Sequence, residues 1–251
     1  MPLKVLEVMN PVAIFQTAPV DGPGYFAEYL ARRAIPYQVI RLNEGEPIAA
    51  DPKVYSGIGL MGGAMSVNDG LPWIPPLIAL IRRAIESDIP VIGHCLGGQL
   101  MSKALGGVVT SSPRKEIGWG TVQIEKNASA GYWFGDTESF LAFQWHGETF
   151  TIPPTAERIA TGVHCANQAF AVGDKHLAMQ CHVEMTVPAI RQWCDEGGDE
   201  IAASRSPAVQ AREIIEEDVE ARVRALRVVA DRLYTRWIEG LAPLASTRER
   251  R

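Results

Sequence analysis

A cysteine framed by glycines is the strongest chemical signal in this sequence. Residues 90–99 read PVIGHCLGGQ, where an apolar run ends at Gly93, Cys95 follows, and Gly97 opens a helical pattern. Glycine on both sides permits the close backbone approach that a nucleophile on a sharp strand-to-helix turn requires. The start of the helix would place amides and the positive end of its dipole beside the sulfur, which favours the thiolate. We therefore predict that Cys95 is a catalytic nucleophile rather than an inert buried cysteine.

A histidine and a glutamate are available to serve this nucleophile. A thiolate that attacks a carbonyl needs a base that takes and returns a proton, and a group that orients the base. Residues 178–184 read AMQCHVE, so His182 and Glu184 are two apart on a predicted strand and share a face. A strand would also let the sheet fix their geometry. We predict His182 as the general base and Glu184 as its orienting partner.

The first half of the chain alternates between strands and helices. Strands are predicted at 4–9, 37–42, 54–61 and 90–94, and helices at 25–33, 75–87 and 96–105. The N-terminal stretch therefore fits a first strand better than a signal peptide. Because parallel strands are joined by crossover helices, this rhythm predicts an α/β fold with a doubly wound, mostly parallel sheet and helices on both faces.

The second half has a different pattern. Short strands at 119–125, 140–145, 158–161, 169–172 and 177–182, with a hairpin turn at Gly173-Asp174, are predicted as antiparallel additions at the sheet edge. Residues 207–237 predict an amphipathic helix or helix pair, whose apolar stripe consists of Ile215, Val219, Val223, Leu226, Leu233 and Trp237. The stripe packs either on the domain's own core or against a partner helix. We expect one domain, 1–251, with a catalytic core of about 1–190 and a helical tail of about 205–240.

Composition narrows the class of protein. The chain has 251 residues, 47% of them hydrophobic, and a formal net charge of −5, which argues against nucleic acid as a partner. No apolar run reaches the roughly 18 residues that a membrane span needs. The 4 cysteines show no disulfide framework. We expect a cytoplasmic protein without a membrane or nucleic-acid partner.

Three motifs together resemble the class I (triad-type) glutamine amidotransferases. GHCLGGQ resembles their nucleophile motif, QCHVE their His-x-Glu signature, and MGGAMS at 61–66 the glycine loop before their oxyanion hole. The likeness runs from the first strand to about Glu184. It is nearest to stand-alone, GMP-synthase-like members, through KEIGW at 115–119 and WHGE at 145–148. The resemblance implies a flavodoxin-like α/β fold.

The resemblance also implies roles for residues around the nucleophile. The backbone amides of Gly63 and Leu96 would form the oxyanion hole. The residues implied to hold the substrate are Gly62, Gln99, Trp145 and His146, the last two at its amino-acid end. A hydrogen-bonded structural role for His146 stays open as an alternative.

Three positions depart from the family pattern. Gly98 stands where many members have His, Ala64 where many have Pro, and Glu148 where Asp is frequent after Trp-His-Gly. None of these changes removes a proposed catalytic atom. Each could alter the pocket.

Two other patterns are set aside, so no cofactor and no metal are expected. GIGLMG at 57–62 matches the dinucleotide fingerprint, but it lies within a predicted strand and no helix follows it. A zinc set could be drawn from His164, Cys165, Cys181 and His182. These residues lack the paired spacings of structural zinc sites.

The expected chemistry is attack of Cys95 on the γ-carboxamide of glutamine or of a γ-glutamyl compound. The sequence contains no ATP pyrophosphatase-like loop, so an amidotransferase of this kind would deliver ammonia to a separate synthetase subunit. The alternative is a stand-alone γ-glutamyl hydrolase or peptidase. A third hypothesis is a binding protein that keeps the fold without turnover.

Overall fold

A computed structural model describes residues 9–241. Its strands are β1 (Val12–Gln16), β2 (Tyr37–Arg41), β3 (Gly57–Leu60), β4 (Val91–His94), β5 (Val109–Ile124), β6 (Ser139–Phe150), β7 (Glu157–Gly162), β8 (Ala169–Val172) and β9 (His176–Met179). Its helices are α1 (Gly24–Arg32), α2 (Ile74–Glu86), α3 (Leu96–Ala104), α4 (Ala128–Phe134), α5 (Val187–Glu196), α6 (Gly198–Ala203), α7 (Arg212–Glu216) and α8 (Val219–Glu239). None of the helices within 9–241 is long and apolar enough to span a membrane.

The strands of the described region form one sheet in the order β2-β1-β3-β4-β9-β8-β7-β5-β6. The first five in this order run parallel to one another. The remaining pairs are antiparallel. The predicted parallel sheet with antiparallel additions is therefore confirmed. The prediction for β9 was wrong in one respect. This strand was expected to be an antiparallel addition, but it pairs in parallel with β4.

Helices cover both faces of the sheet, as predicted. One apolar core contains side chains of α1, α4, α5 and α8, and the other contains those of α2 and α3. The predicted stripe of the C-terminal tail is buried in the first core, where Trp237 of α8 lies 5.4 Å from Phe26 of α1, ring centre to ring centre. The apolar stripe of the tail is thus buried against the chain's own core and does not form an exposed face for a partner helix.

Several predicted boundaries are wrong. The strand predicted at 4–9 falls almost wholly outside the described residues, and β1 at Val12–Gln16 was not predicted. The strand predicted at 54–61 begins only at Gly57, because Pro52–Val54 forms a 3₁₀ turn. Helices α4, α5 and α6 were missed, and β5 and β6 extend well beyond their predicted ranges.

The strand predicted to carry His182 ends earlier than expected, at Met179. Its neighbour β4 stops at His94 and turns into α3, so β9 has no parallel partner beyond that point. The carbonyl of Met179 accepts a hydrogen bond from the Cys95 amide at 2.8 Å, at the turn itself. His182 and Glu184 therefore lie on the segment that follows the strand.

Candidate active site

Cys95 occupies the strained turn that the glycine frame predicts. It connects β4 to α3 with φ 50° and ψ −108°, a conformation that non-glycine residues rarely adopt. A Cβ atom at Gly93 would lie 2.5 Å from the backbone of Gly97, so both flanks of the turn must approach without side chains. Strain of this kind persists only where the surrounding structure enforces it, and it concentrates at functional sites.

A backbone bridge to β6 positions His182. The His182 amide donates to the Phe143 carbonyl at 2.9 Å, forming an isolated antiparallel bridge after β9 has ended. The side chain then places Nδ1 2.6 Å from Glu184 Oε1. Nδ1 therefore carries the proton in this contact. Within residues 9–241, Nε2 has no hydrogen-bond partner, which leaves it available to a reacting group.

Electrostatics favours an ionised His182–Glu184 pair. Burial alone would lower the pKa of His182, but the adjacent Glu184 and Cys95 raise it well above its ordinary value. Burial likewise would raise the pKa of Glu184, but His182 and then His94 lower it below the usual range. At neutral pH the imidazole therefore holds its second proton readily, as a general acid for a leaving nitrogen must.

The glycine loop after β3 lies against both catalytic candidates. A Cβ atom at Gly62 would lie 3.0 Å from His182 Cε1 and 3.8 Å from Cys95 Cβ. One at Gly63 would lie 2.7 Å from Leu96 Cδ2, so the two residues implied to form an oxyanion hole are neighbours. Neither amide donates to a backbone carbonyl in the turns, loops and helix caps of residues 9–241.

Two glutamines lie beside the sulfur. Gln99 is buried and donates through Nε2 to Gln180 Oε1 at 3.2 Å. Gln180 in turn places its own Nε2 3.5 Å from Cys95 Sγ. Gln180 was missed as a site residue, although it opens the QCHVE motif from which His182 was chosen.

Trp145 and His146 of β6 differ in their environments. The Trp145 carbonyl lies 3.8 Å from Cys95 Sγ, and its indole donates to Glu200 at 2.9 Å. In His146, Nδ1 lies 2.9 Å from the Glu148 carbonyl and Nε2 lies 3.0 Å from Glu116 Oε2. Both ring nitrogens of His146 are thus engaged within the protein. This favours a structural role for His146, although the residue also lines the same cavity as Cys95.

A cavity of about 730 Å³ opens over the cysteine. Of the site residues predicted from sequence, it is lined by Gly63, Cys95, Gln99, Trp145, His146 and His182. Trp193 of α5 also lines it, and its ring stands edge-on to His182 with 4.9 Å between ring centres. The volume falls within the range typical of small-molecule sites.

Comparison with known proteins agrees with the motifs and the geometry. The family model for class-I glutamine amidotransferases matches residues 25–190. The chain belongs to this family. The resemblance inferred from sequence is therefore confirmed, and the family supports hydrolysis of the glutamine amide as the general activity.

Three relatives illustrate the range of this family. The crystal structure of a glutamine amidotransferase from Methylobacillus flagellatus has 42% identity and a TM-score of 0.94, and the match covers 97% of this chain and 100% of that one. The glutamine amidotransferase-like protein YfeJ of Salmonella typhimurium is 26% identical over 188 residues, 72% of this chain and 79% of YfeJ. A glutamine-hydrolysing GMP synthase of Bacillus velezensis is 33% identical over 132 residues, 51% of this chain but only 24% of that protein.

Two departures from the family pattern have local explanations. A Cβ atom at Gly98 would lie 2.5 Å from the Met179 carbonyl oxygen, so α3 packs on β9 too closely for any side chain there. Glu148 accepts a hydrogen bond from Ser66 Oγ at 2.9 Å, which ties β6 to the glycine loop. Ala64 lines the cavity, and nothing in the structure explains its identity.

The C-terminal helix α8 contributes a buried side chain, Tyr234, behind the candidate site. Tyr234 of α8 places its hydroxyl 3.1 Å from His94 Nε2, and the same nitrogen lies 3.9 Å from Glu184 Oε2. All three side chains are buried. Their approach had no signal in the sequence, since α8 lies far along the chain from the motifs.

One group of side chains has metal-ligand chemistry. Atoms of Glu116, His146 and Cys165 lie within 4.8 Å of one another, and all three residues are buried. Each is engaged by hydrogen bonding, since Cys165 Sγ lies 3.2 Å from Thr149 Oγ1 and Glu116 pairs with His146. Among the residues described, the four side chains considered from sequence as a zinc set do not form such a group.

Proposed function

We propose that this chain hydrolyses the γ-amide of glutamine or of a γ-glutamyl compound, with Cys95 as nucleophile, His182 as acid and base, and Glu184 as the residue that orients His182. The observation that carries the proposal is the buried 2.6 Å contact between His182 Nδ1 and Glu184, together with the nearness of the strained Cys95, which helps to raise the pKa of His182. Nε2 of the same ring has no hydrogen-bond partner among residues 9–241. Family membership supports the reaction class, and the site geometry supports the residue roles.

The first half-reaction forms a thioester. The Cys95 thiolate attacks the γ-carbonyl carbon, and the carbonyl π electrons move onto oxygen. When the oxyanion collapses, the carbon–nitrogen bond breaks and the nitrogen takes the proton from His182 Nε2. Ammonia or an amine departs, and a γ-glutamyl thioester remains on Cys95.

The second half-reaction restores the enzyme. The neutral His182 takes a proton from water as the water oxygen attacks the thioester carbonyl. The carbon–sulfur bond then breaks, releasing glutamate and returning the Cys95 thiolate beside the protonated imidazole. Glu184 accepts the Nδ1 hydrogen bond throughout, which holds the imidazole in the useful tautomer.

Gly63 and Leu96 are proposed to stabilise the oxyanion in both halves. Gly63 and Leu96 are neighbours, and Leu96 follows Cys95 directly. Their amides do not donate to a backbone carbonyl in the turns, loops and helix caps of residues 9–241. Backbone donors aimed at a developing oxyanion typically contribute about 10²–10³ in rate each. Gly62, Gln99 and Trp145 are proposed to hold the glutamyl portion of the substrate, with His146 adding to that wall.

The fate of the nitrogen separates two versions of the proposal. In one, ammonia passes to a separate synthetase subunit. In the other, the chain acts alone as a γ-glutamyl hydrolase. The cavity of about 730 Å³ lies within the general range of small-molecule sites, so it is compatible with either version.

Turnover by the purified chain tests the proposal. Glutamate release would be measured with glutamine and with γ-glutamyl peptides, using wild type and Cys95→Ala. We expect release that depends on Cys95, faster with a peptide if the chain acts alone. Weak glutamine turnover that rises when a partner is added would favour the subunit version. Equal release by wild type and Cys95→Ala would refute Cys95 as the nucleophile. No release by either would leave the binding-protein hypothesis.

A further inference from the structure

Asp21 is a buried carboxylate without a partner. It lies on the loop between β1 and α1, is 8% exposed, and lines the active-site cavity. Among residues 9–241, only burial and charges at a distance act on its pKa, and no hydrogen-bond donor contributes. Burial raises its pKa to about 6, although the nearby His182 opposes the shift. A largely buried carboxylate that borders a cavity is stabilised by a cation or a strong hydrogen-bond donor placed in that cavity.

The remaining carboxylates of the cavity differ from Asp21 because each already has a donor. The other carboxylates that line it are Asp69, Glu148, Glu196 and Glu200, against a single Lys115. Asp69 accepts from the Ser66 amide, Glu148 from the Ser66 hydroxyl, and Glu196 from Gln192. Lys115 is paired with Glu200. The cavity is therefore acidic as a whole, and Asp21 is its unsatisfied member.

Asp21 lies on the side of the site from which the leaving group would depart. The carbonyl of the preceding residue, Val20, accepts from Trp193 Nε1 at 3.1 Å, and the Trp193 ring packs on His182. His182 lowers the pKa of Asp21 and Glu184 raises it, so both groups lie within electrostatic range of the Asp21 carboxylate. In the proposed reaction His182 protonates the departing nitrogen, whereas the oxyanion faces Gly63 and Leu96. Asp21 is thus associated with the leaving group rather than with the carbonyl oxygen.

We propose that Asp21 binds a protonated amine carried by the leaving group, so that the preferred substrates are γ-glutamyl amides of aminoalkyl amines. This inference rests on the proposed function and names the substrate class of the same site. Hydrolysis would consume water and release glutamate and a diamine, with His182 protonating the scissile nitrogen as before. Asp21, Glu196 and Glu200 all line the cavity, and all three lie outside residues 25–190 that match the family model.

Two amides of equal length test the charge directly. γ-Glutamyl-n-butylamide and γ-glutamyl-(3-aminopropyl)amide differ only in a terminal methyl or ammonium group. The ratio of their kcat/KM values would be measured for wild type, for the isosteric Asp21→Asn, and for Asp199→Asn. Asp199 is an exposed acid on α6 outside the cavity lining, so its variant removes the same charge from the neighbouring surface. Glutamine turnover is measured alongside.

The expected result is a preference of about tenfold or more for the aminopropyl amide in wild type, as a charge-assisted contact provides. Asp21→Asn should bring the ratio close to one, while Asp199→Asn should retain it. A wild-type ratio near one, or a preference that survives in Asp21→Asn, would overturn the inference while leaving the proposed function intact. Equal losses for both amides and for glutamine would overturn it too, because Asp21 would then bind the α-ammonium common to all three. Absence of turnover with all three substrates would refute the proposed function, and this inference with it.

Discussion

Replacing Glu184 by glutamine removes one charge from the buried pair and little else. The two side chains have the same shape, and Glu184 is only 4% exposed, so the variant should keep its packing. The neutral amide can still accept the Nδ1 hydrogen bond of His182 through its oxygen. It no longer supplies the negative charge that raises the pKa of His182.

The expected loss follows from the contact that is weakened. A buried, charge-assisted hydrogen bond contributes about 1.5–3 kcal/mol, and part of it survives in the amide. We therefore expect kcat/KM for glutamine to fall about tenfold to a hundredfold. His182→Ala, which removes the proton carrier itself, should nearly abolish turnover.

The pH profile gives the sharper readout. In the proposed mechanism His182 acts as an acid while it is protonated, and its raised pKa extends that condition to higher pH. Without the Glu184 charge, burial would bring the pKa down, so the alkaline limb of kcat/KM should move to lower pH. Glu116→Gln is the matched control, because Glu116 is 5% exposed and is also paired with a histidine, His146. It should leave the alkaline limb in place. Full activity in Glu184→Gln with an unmoved limb, or the same shift in both variants, would refute the assignment of Glu184.

Three further predictions concern other parts of the site. A diazo-ketone analogue of glutamine should alkylate Cys95 and none of the other three cysteines, as peptide mass mapping would show; a label elsewhere with Cys95 unmodified would contradict the nucleophile assignment. Tyr234→Phe should lower the free energy of unfolding by about 1–3 kcal/mol, because it leaves His94 Nε2 buried without its hydrogen bond; an unchanged denaturation midpoint would show that the bond contributes nothing. Gly98→Ala should destabilise the protein by about 1–3 kcal/mol, because the added Cβ would clash with the backbone of β9. Gly131→Ala within α4 has open space around it and should be neutral or stabilising. Equal effects of the two variants on the melting temperature would argue against the close contact at Gly98.

The nucleophile turn was predictable because its determinants lie within ten consecutive residues. An apolar strand, the glycines on either side and a helical pattern together leave little choice for the backbone at Cys95. The pairing of His182 with Glu184 was also predicted, but from the assumption that both residues lie on one face of a strand. The expected strand ends at Met179, and the bridge to Phe143, which no local pattern indicates, holds His182 instead.

Some of what was missed had local signals and some had none. Thr186 is the N-cap that precedes helix α5. Its side chain accepts a hydrogen bond from the Ala189 amide at 3.3 Å, and a proline follows in the first turn. That start signal was present and overlooked. The approach of Tyr234 to His94 had none, because contacts between residues so distant in sequence depend on how the sheet and helices assemble.

The proposed catalytic residues and the proposed specificity residues lie on different segments of the chain. The candidate catalytic atoms follow β3, β4 and β9, at the end of a parallel sheet where ligands bind in open α/β folds, and all lie within residues 25–190. The part of the cavity wall that is proposed to face the leaving group comes from the loop after β1 and from α5 and α6, through Asp21, Trp193 and Glu200. These segments pack against the site but do not form its turn, so their side chains can change without disturbing the strained Cys95. A family that keeps one reaction and varies its leaving group would be expected to vary this wall first. Exchange of the wall residues should therefore alter the choice of amide more than the rate of the common glutamine reaction.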